Sequence, residues 1–152
     1  MTQSHPTPAI IASDLDEALA LVRERGLRVS SARRLLLEAL FAADGPQTAD
    51  ELAVGAGGTA AADPASVYRN LERLEAIGLV RHVHLGHGPG LYALAGSLAD
   101  GYVVCDGCGK RKAATSEQLE HVRSTVREEF GYEAAFSHFP IVGLCPTCVK
   151  SA

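Results

Sequence analysis

Residues 63–95 read DPASVYRNLERLEAIGLVRHVHLGHGPGLYALA, and this stretch decides the fold. Asp63 before Pro64 is a helix start, with Asp as the N-cap and Pro at the first helical position. Val67, Leu71, Leu74 and Ile77 fall on one helical face, and Gly78 stands where a glycine ends a helix. Leu79–Leu85 then alternates as a strand does, with His82 and His84 on one side and Val83 and Leu85 on the other. The run 86–90 is a turn, and Leu91–Ala95 returns as a second strand.

Upstream, Leu15, Leu19 and Val22 form a helical stripe that ends at Gly26. Ser30 or Ser31 caps a second helix, whose apolar face is Leu36, Leu37, Leu40 and Phe41. Thr48 caps a third, with Glu51 completing a capping box and Leu52 turned inward. Residues 54–62 form a Gly/Ala loop. Three or four helices followed by a hairpin predict a winged helix-turn-helix domain over residues 14–95. Residues 1–13, with Pro6 and Pro8 and no periodicity, are expected to be a flexible tail. Residues 96–101 are expected to be a hinge. Beyond it lie a short strand (Tyr102–Cys105), a helix from Thr115 to about Phe130, and a strand around Glu133–Leu144. The expected class is α+β: the winged helix plus a small α/β dimerisation domain over 102–152 with a four-cysteine zinc site.

Composition narrows the function classes. At 152 residues with 47% hydrophobic and 21% charged, the chain has the makings of a core and is not globally disordered. There is no apolar run of about 18 residues, and Met1–Ile11 lacks a basic leader segment, so the expected compartment is the cytoplasm. The net charge of −4 excludes a general polycation but leaves room for a local nucleic-acid surface. Leu21–Glu38 carries five Arg against two Glu, so charge is unevenly spread.

The four cysteines form two CxxC pairs, Cys105/Cys108 and Cys145/Cys148, with 36 residues between them. A two-residue gap lets both sulfurs of a turn address one ion, and two such turns complete a tetrahedron. With every position filled no substrate could enter, so the expected zinc is structural. Gly107 and Gly109 are expected to free the backbone for the tight turn.

On the 64–77 helix, Ser66, Arg69, Asn70 and Arg73 lie opposite the apolar face, with Tyr68 beside them. Arg and Asn suit phosphates and base edges, and Tyr packs against a thymine methyl. This is a candidate recognition helix, against an ordinary solvated helix face, which Glu72 and Glu75 favour. His82 and His84, two apart on one strand face, could share an ion, with His87 on the adjoining turn and His138 in the second domain. Such a site would span the hinge and fix the interdomain angle. The plainer reading makes these surface and core histidines, as His5 and His121 are.

These residues together resemble the ferric uptake regulator (Fur) superfamily. The likeness rests on Ser30-Ser-Ala-Arg33, Thr48-Ala-Asp-Glu-Leu52, Ser66-Val-Tyr-Arg-Asn-Leu71, Gly78-Leu-Val80, Leu91-Tyr92, the paired cysteines, Phe130-Gly-Tyr132 and His138, and covers about residues 15–148. It implies a homodimeric, metal-responsive repressor that binds a double-stranded DNA operator, with no membrane and no small-molecule substrate. It implies DNA contacts by Tyr68 and Arg69, and by Arg28 and Arg33 near the second helix. The usual His-rich run before the first CxxC is instead Ser97–Tyr102, without histidine; the usual ligand positions elsewhere hold Gln47 and Ala93, and Glu120 and His138 remain. The runs Arg81-His82-Val-His84-Leu-Gly-His87-Gly and His138-Phe-x-Ile-x-Gly-x-Cys145 resemble the nickel-responsive regulators of actinobacteria. That resemblance implies regulatory ligands at His82, His84 and His138; His87 or Glu120 is a candidate fourth ligand, and three imidazoles suit Ni²⁺ but also Zn²⁺, Cu²⁺ or Fe²⁺.

Two rivals stand beside this reading. One is a Fur-like DNA-binding protein that has lost metal sensing and is constitutive or partner-controlled. The other is a thiol redox enzyme or peroxide sensor built on the CxxC pairs, which zinc ligation would suppress. No nucleophile–base–orienter set or phosphate loop is visible, so no enzymatic activity is expected.

Overall fold

A computed structural model describes residues 7–55, 64–136 and 138–151. The expected cap at Asp63, most of the 54–62 loop, and His5 lie outside the described residues. The chain divides into two compact units. One comprises the residues up to Val83 with Gly90–Leu98; the other comprises His84–Pro89 and the residues from Ala99 onward.

In the first unit α1 (Leu15–Glu24) starts where the Asp14 side chain accepts the Glu17 N–H. Ser30 caps α2 (Ser31–Ala42) in the same way. Strand β1 (Gln47–Thr48) leads into α3 (Ala49–Val54), which carries the full Thr48/Glu51 capping box. Helix α4 (Pro64–Ala76) is followed by β2 (Val80–Val83) and β3 (Leu91–Leu94). The strands pair antiparallel in the order β1-β3-β2, with His82 opposite Tyr92. Val22, Leu37, Leu71, Leu74, Leu79 and Val80 are fully buried at the centre of one core. Ile77 packs against that core only in part and lies past the end of α4.

Residues 7–13, expected within a flexible tail, are tied down. Ile10 N–H donates to the Gly78 carbonyl at 2.9 Å, and Arg81 Nη2 donates to the Thr7 carbonyl at 2.8 Å. Gly78 has φ 93°, and any side chain there would collide with the Pro8 carbonyl oxygen. The glycine that ends α4 therefore also seats the incoming segment.

The second unit contains β4 (Gly101–Cys105), β5 (Arg111–Ala113), α5 (Ser116–Phe130), β6 (Phe139–Gly143) and α6 (Pro146–Ser151). The strand order is β5-β4-β6, antiparallel for β4–β5 and parallel for β4–β6. A parallel pair needs a crossover, and α5 supplies it. Strand β6 is shorter than the expected 133–144, because β4 offers partners only for Phe139–Gly143. Pro140 is tolerated there because β6 is an edge strand. The hairpin turn His84–Pro89 belongs to this unit, where Gly86 faces Val104 and Val142. Strands β1 and β5 and helix α6 were not expected; two, three and six residues are too few to show a period.

Val103, Ile141, Val142, Leu144 and Val149 are exposed in this unit, and Leu119 is the buried residue of α5. A unit of this size with so few buried side chains needs a metal or a second subunit to be stable. No helix among the described residues is long and apolar enough to cross a membrane.

Candidate metal centre and nucleic-acid interface

The sheet register builds the metal centre. Cys105 at the end of β4 pairs with Gly143 at the end of β6, so the turn 105–108 and the segment 145–148 emerge side by side. The four Sγ atoms lie within 4.8 Å of one another, and they form the group of metal-ligating side chains found among the described residues. Cys108 and Cys145 Sγ are 3.8 Å apart, the edge of a tetrahedron with about 2.3 Å zinc–sulfur bonds. The Cys145 N–H donates to Cys105 Sγ at 3.2 Å. That N–H, and then the Cys108 N–H, bring the Cys105 thiol down to about 6. The neighbouring sulfurs, Cys145 first, push Cys148 up to about 12. Four sulfurs this close, with one thiol pulled down and another pushed up, suit a cation that neutralises them together. The four-cysteine cluster is thus consistent with a zinc site.

Gly107 serves this site for a reason the sequence does not reveal. It needs no left-handed backbone; instead, a methyl there would sit 2.9 Å from Cys148 Sγ and 3.4 Å from Leu144 Cδ2. Gly109, with φ +75° and nothing nearby, is the conformational glycine of the turn.

Helix α4 buries Val67, Leu71 and Leu74 and exposes Tyr68, Arg69 and Arg73. Arg28 is exposed in the segment between α1 and α2. Arg33 and Asn70 are placed differently. Arg33 is 5% exposed, its Nε donates to Asn70 Oδ1 at 3.2 Å, and its Nη1 donates to the Arg28 carbonyl. Asn70 donates to the carbonyl of Ser66, the remaining candidate on this helix.

His82 is exposed on β2; His84 is exposed past the end of the strand at Val83, so the expected strand over 79–85 is shorter than its alternation suggests. The His82 ring lies flat on Tyr92, with centroids 4.5 Å apart and 4° between planes, and Tyr92 meets Tyr68 edge-on at 6.5 Å. No motif singles out Tyr92 as a neighbour of His82, although counting across the 86–90 turn puts the two opposite each other. His87 is exposed on that turn. Glu120 is exposed on α5 and pairs with Arg123 at 3.5 Å. His138 is half-buried with φ 55°, a left-handed conformation uncommon outside glycine. Its Nδ1 lies 2.8 Å from the Ala99 carbonyl. A carbonyl only accepts, so Nδ1 carries a proton, and in the neutral ring Nε2 is the nitrogen with the lone pair.

A family model described as the ferric uptake regulator family matches residues 24–139. The peroxide operon regulator of Bacillus subtilis (strain 168) is 28% identical over 141 residues, covering 91% of this chain and 96% of that protein. The ferric uptake regulation protein of Campylobacter jejuni is 25% identical over 140 residues, covering 88% and 87%. The solved ferric uptake regulator of Helicobacter pylori superposes with a TM-score of 0.68 at 18% identity, over 90% of this chain and 95% of that one, a likeness of fold. These relatives are regulators rather than enzymes, which bears out the expectation that the chain is not an enzyme. The α+β class with a four-cysteine cluster, and the Fur likeness read from the motifs, are borne out as well. This chain belongs to the ferric uptake regulator family.

Proposed function

We propose that this protein is a metal-responsive transcriptional repressor that binds operator DNA as a homodimer, with α4 as its recognition helix. The observation that carries the reading is the outward face of α4. Tyr68, Arg69 and Arg73 are exposed opposite Val67, Leu71 and Leu74, and a hairpin follows directly. Arg28 adds a phosphate contact. The four cysteines hold a structural zinc, which supplies folding energy to the second unit. A second copy of the chain covers the apolar groove of about 930 Å³ lined by Val103, Leu119, Val122, Ile141 and Leu144. A bacterial regulator of this kind works in the cytoplasm, where its operator is.

His82, His84 and His138 are the regulatory metal ligands in this reading, with His87 and Glu120 as further donors. The donor set fits: His138 has its tautomer fixed by Ala99 with Nε2 left to ligate, and its left-handed φ is the kind of strain found at functional sites. When bound, the metal supplies charge and cross-linking rather than catalysis. Imidazoles suit Ni²⁺, Fe²⁺ and Zn²⁺, and the likeness of residues 81–88 to the nickel-responsive branch favours nickel.

A second reading is favoured by one observation: the histidine-free run Ser97–Tyr102. It keeps the DNA-binding regulator but removes the sensing. The experiment is operator binding by protein stripped of all but its structural zinc, titrated with Ni²⁺, Fe²⁺ and Zn²⁺. A metal-dependent rise in affinity supports the first reading. Equal affinity with no metal taken up beyond the structural zinc supports the second. No specific DNA binding under any condition sinks both.

A further inference from the structure

Arg33 is the buried charged side chain of the described residues, and it has an unusual set of partners. Its guanidinium donates to the Asn70 side-chain oxygen on α4 and to the Arg28 main-chain carbonyl ahead of α2. Neither partner is a carboxylate. A buried cation without a counter-ion is costly, and a tie between two helices needs no charge to hold. Burial, with Arg73 as a like-charged neighbour, lowers the Arg33 pKa. What a guanidinium offers beyond other side chains is a rigid fork, here engaging acceptors on two separate segments. One segment presents Arg28, and the other presents Tyr68, Arg69 and Arg73. Asn70 engages its oxygen with Arg33 and one amide hydrogen with the Ser66 carbonyl, so both of its polar atoms are held from within.

We propose that Arg33 is a positioning residue of the DNA interface: held between Asn70 and the Arg28 carbonyl, it sets the spacing between Arg28 and the outer face of α4 without touching DNA. Asn70 belongs to this brace and reads no base. The reading face then narrows to Tyr68, Arg69 and Arg73, with Arg28 as its phosphate anchor. The inference rests on α4 being the recognition helix.

The test uses full-length dimeric protein and two duplexes: one selected by the wild type from a random-sequence pool, and one of scrambled sequence and equal length. Arg33→Lys keeps the charge and loses the fork. It should bind the selected duplex at least about tenfold more weakly and the scrambled duplex within about threefold of wild type, since spacing governs specific docking. Asn70→Ala should do the same, and the double variant should be no worse than the weaker single, as expected of two members of one brace. Arg33→Met should leave the salt dependence of scrambled-duplex binding unchanged. A slope flatter by about 0.9 would mean a lost phosphate contact and overturn the proposal. Full operator affinity in Arg33→Lys overturns it, because charge alone then suffices. Equal losses on both duplexes with a lowered melting temperature overturn it in favour of a purely structural role. If the wild type selects no duplex, the recognition-helix reading fails first and the proposal falls with it. If it selects one and Arg33→Lys binds it normally, the proposal fails alone.

Discussion

Gly107→Ala is expected to weaken zinc binding while leaving the backbone unstrained. The new methyl would lie 2.9 Å from Cys148 Sγ, 3.2 Å from Cys148 Cβ and 3.4 Å from Leu144 Cδ2. Comfortable carbon–carbon contact begins at about 3.5 Å and contact with the larger sulfur further out, so the Cys148 sulfur must retreat by about 0.5–1 Å. Zinc–ligand distances tolerate about 0.2 Å. The sulfur must either leave the coordination sphere or drag α6 with it, and we expect at least a tenfold loss of affinity, about 1.4 kcal/mol. Gly109→Ala two residues away is the control. It strains a left-handed position by about 1–2 kcal/mol but meets nothing within 4 Å. Zinc affinity measured against a competing chromophoric chelator, alongside the melting temperature, separates the two. Gly107→Ala should lose zinc readily; Gly109→Ala should melt earlier yet hold zinc as the wild type does. If Gly107→Ala binds zinc with wild-type affinity, the arrangement of Cys148 against the 105–108 turn is wrong.

Cys105→Ser and Cys148→Ser should each give monomeric or aggregated protein by size-exclusion chromatography, since a structural zinc contributes on the order of 10 kcal/mol. Cys105, with its pKa depressed to about 6, is a thiolate above that pH, and its contribution to zinc retention should fade as pH falls through about 6. Cys148, raised to about 12, keeps its proton at pH 7 in metal-free protein, so zinc loading should release at least one proton in an unbuffered titration. Tyr68→Ala and Arg69→Ala should each cost about 1–3 kcal/mol of specific DNA affinity. Arg28→Ala should weaken every sequence and flatten the salt slope, and unchanged gel-shift affinity in Arg69→Ala would discard the recognition helix. His82→Ala/His84→Ala should abolish the response to added Ni²⁺ and Zn²⁺ at neutral pH.

What the sequence made legible was whatever is encoded locally. The caps at Ser30 and Thr48 act on backbone three residues away. The apolar spacing along α4 is a periodicity of a single element. The two CxxC pairs announce their convergence because the chemistry of zinc demands it. What stayed hidden depends on another part of the chain. Arg33 stands beside Arg34 in an otherwise ordinary helix start, yet the first is buried and the second pairs with Glu38 on the surface. Asn70, 37 residues later, joins the Arg28 carbonyl in holding Arg33 inward. Gly107 looked conformational because glycines usually are, whereas its constraint is the Cys148 sulfur from the far end of the chain. The anchoring of residues 7–13 likewise waits on the Gly78 carbonyl.

The stack of His82 on Tyr92, and of Tyr92 against Tyr68, makes the protein its own optical probe. The chain has no Trp and four Tyr, so near-ultraviolet emission comes from tyrosine alone. One emitter lies 4.5 Å from an imidazole proposed to take metal, and a second stands on the helix face proposed to take DNA. A paramagnetic Ni²⁺ on His82 would quench Tyr92 at that range, and a duplex stacked on Tyr68 would dim that ring instead. Replacing Tyr92 or Tyr68 with Phe, one at a time, would assign each share of the signal. Metal uptake and DNA docking could then be followed in one cuvette, in real time and without a label.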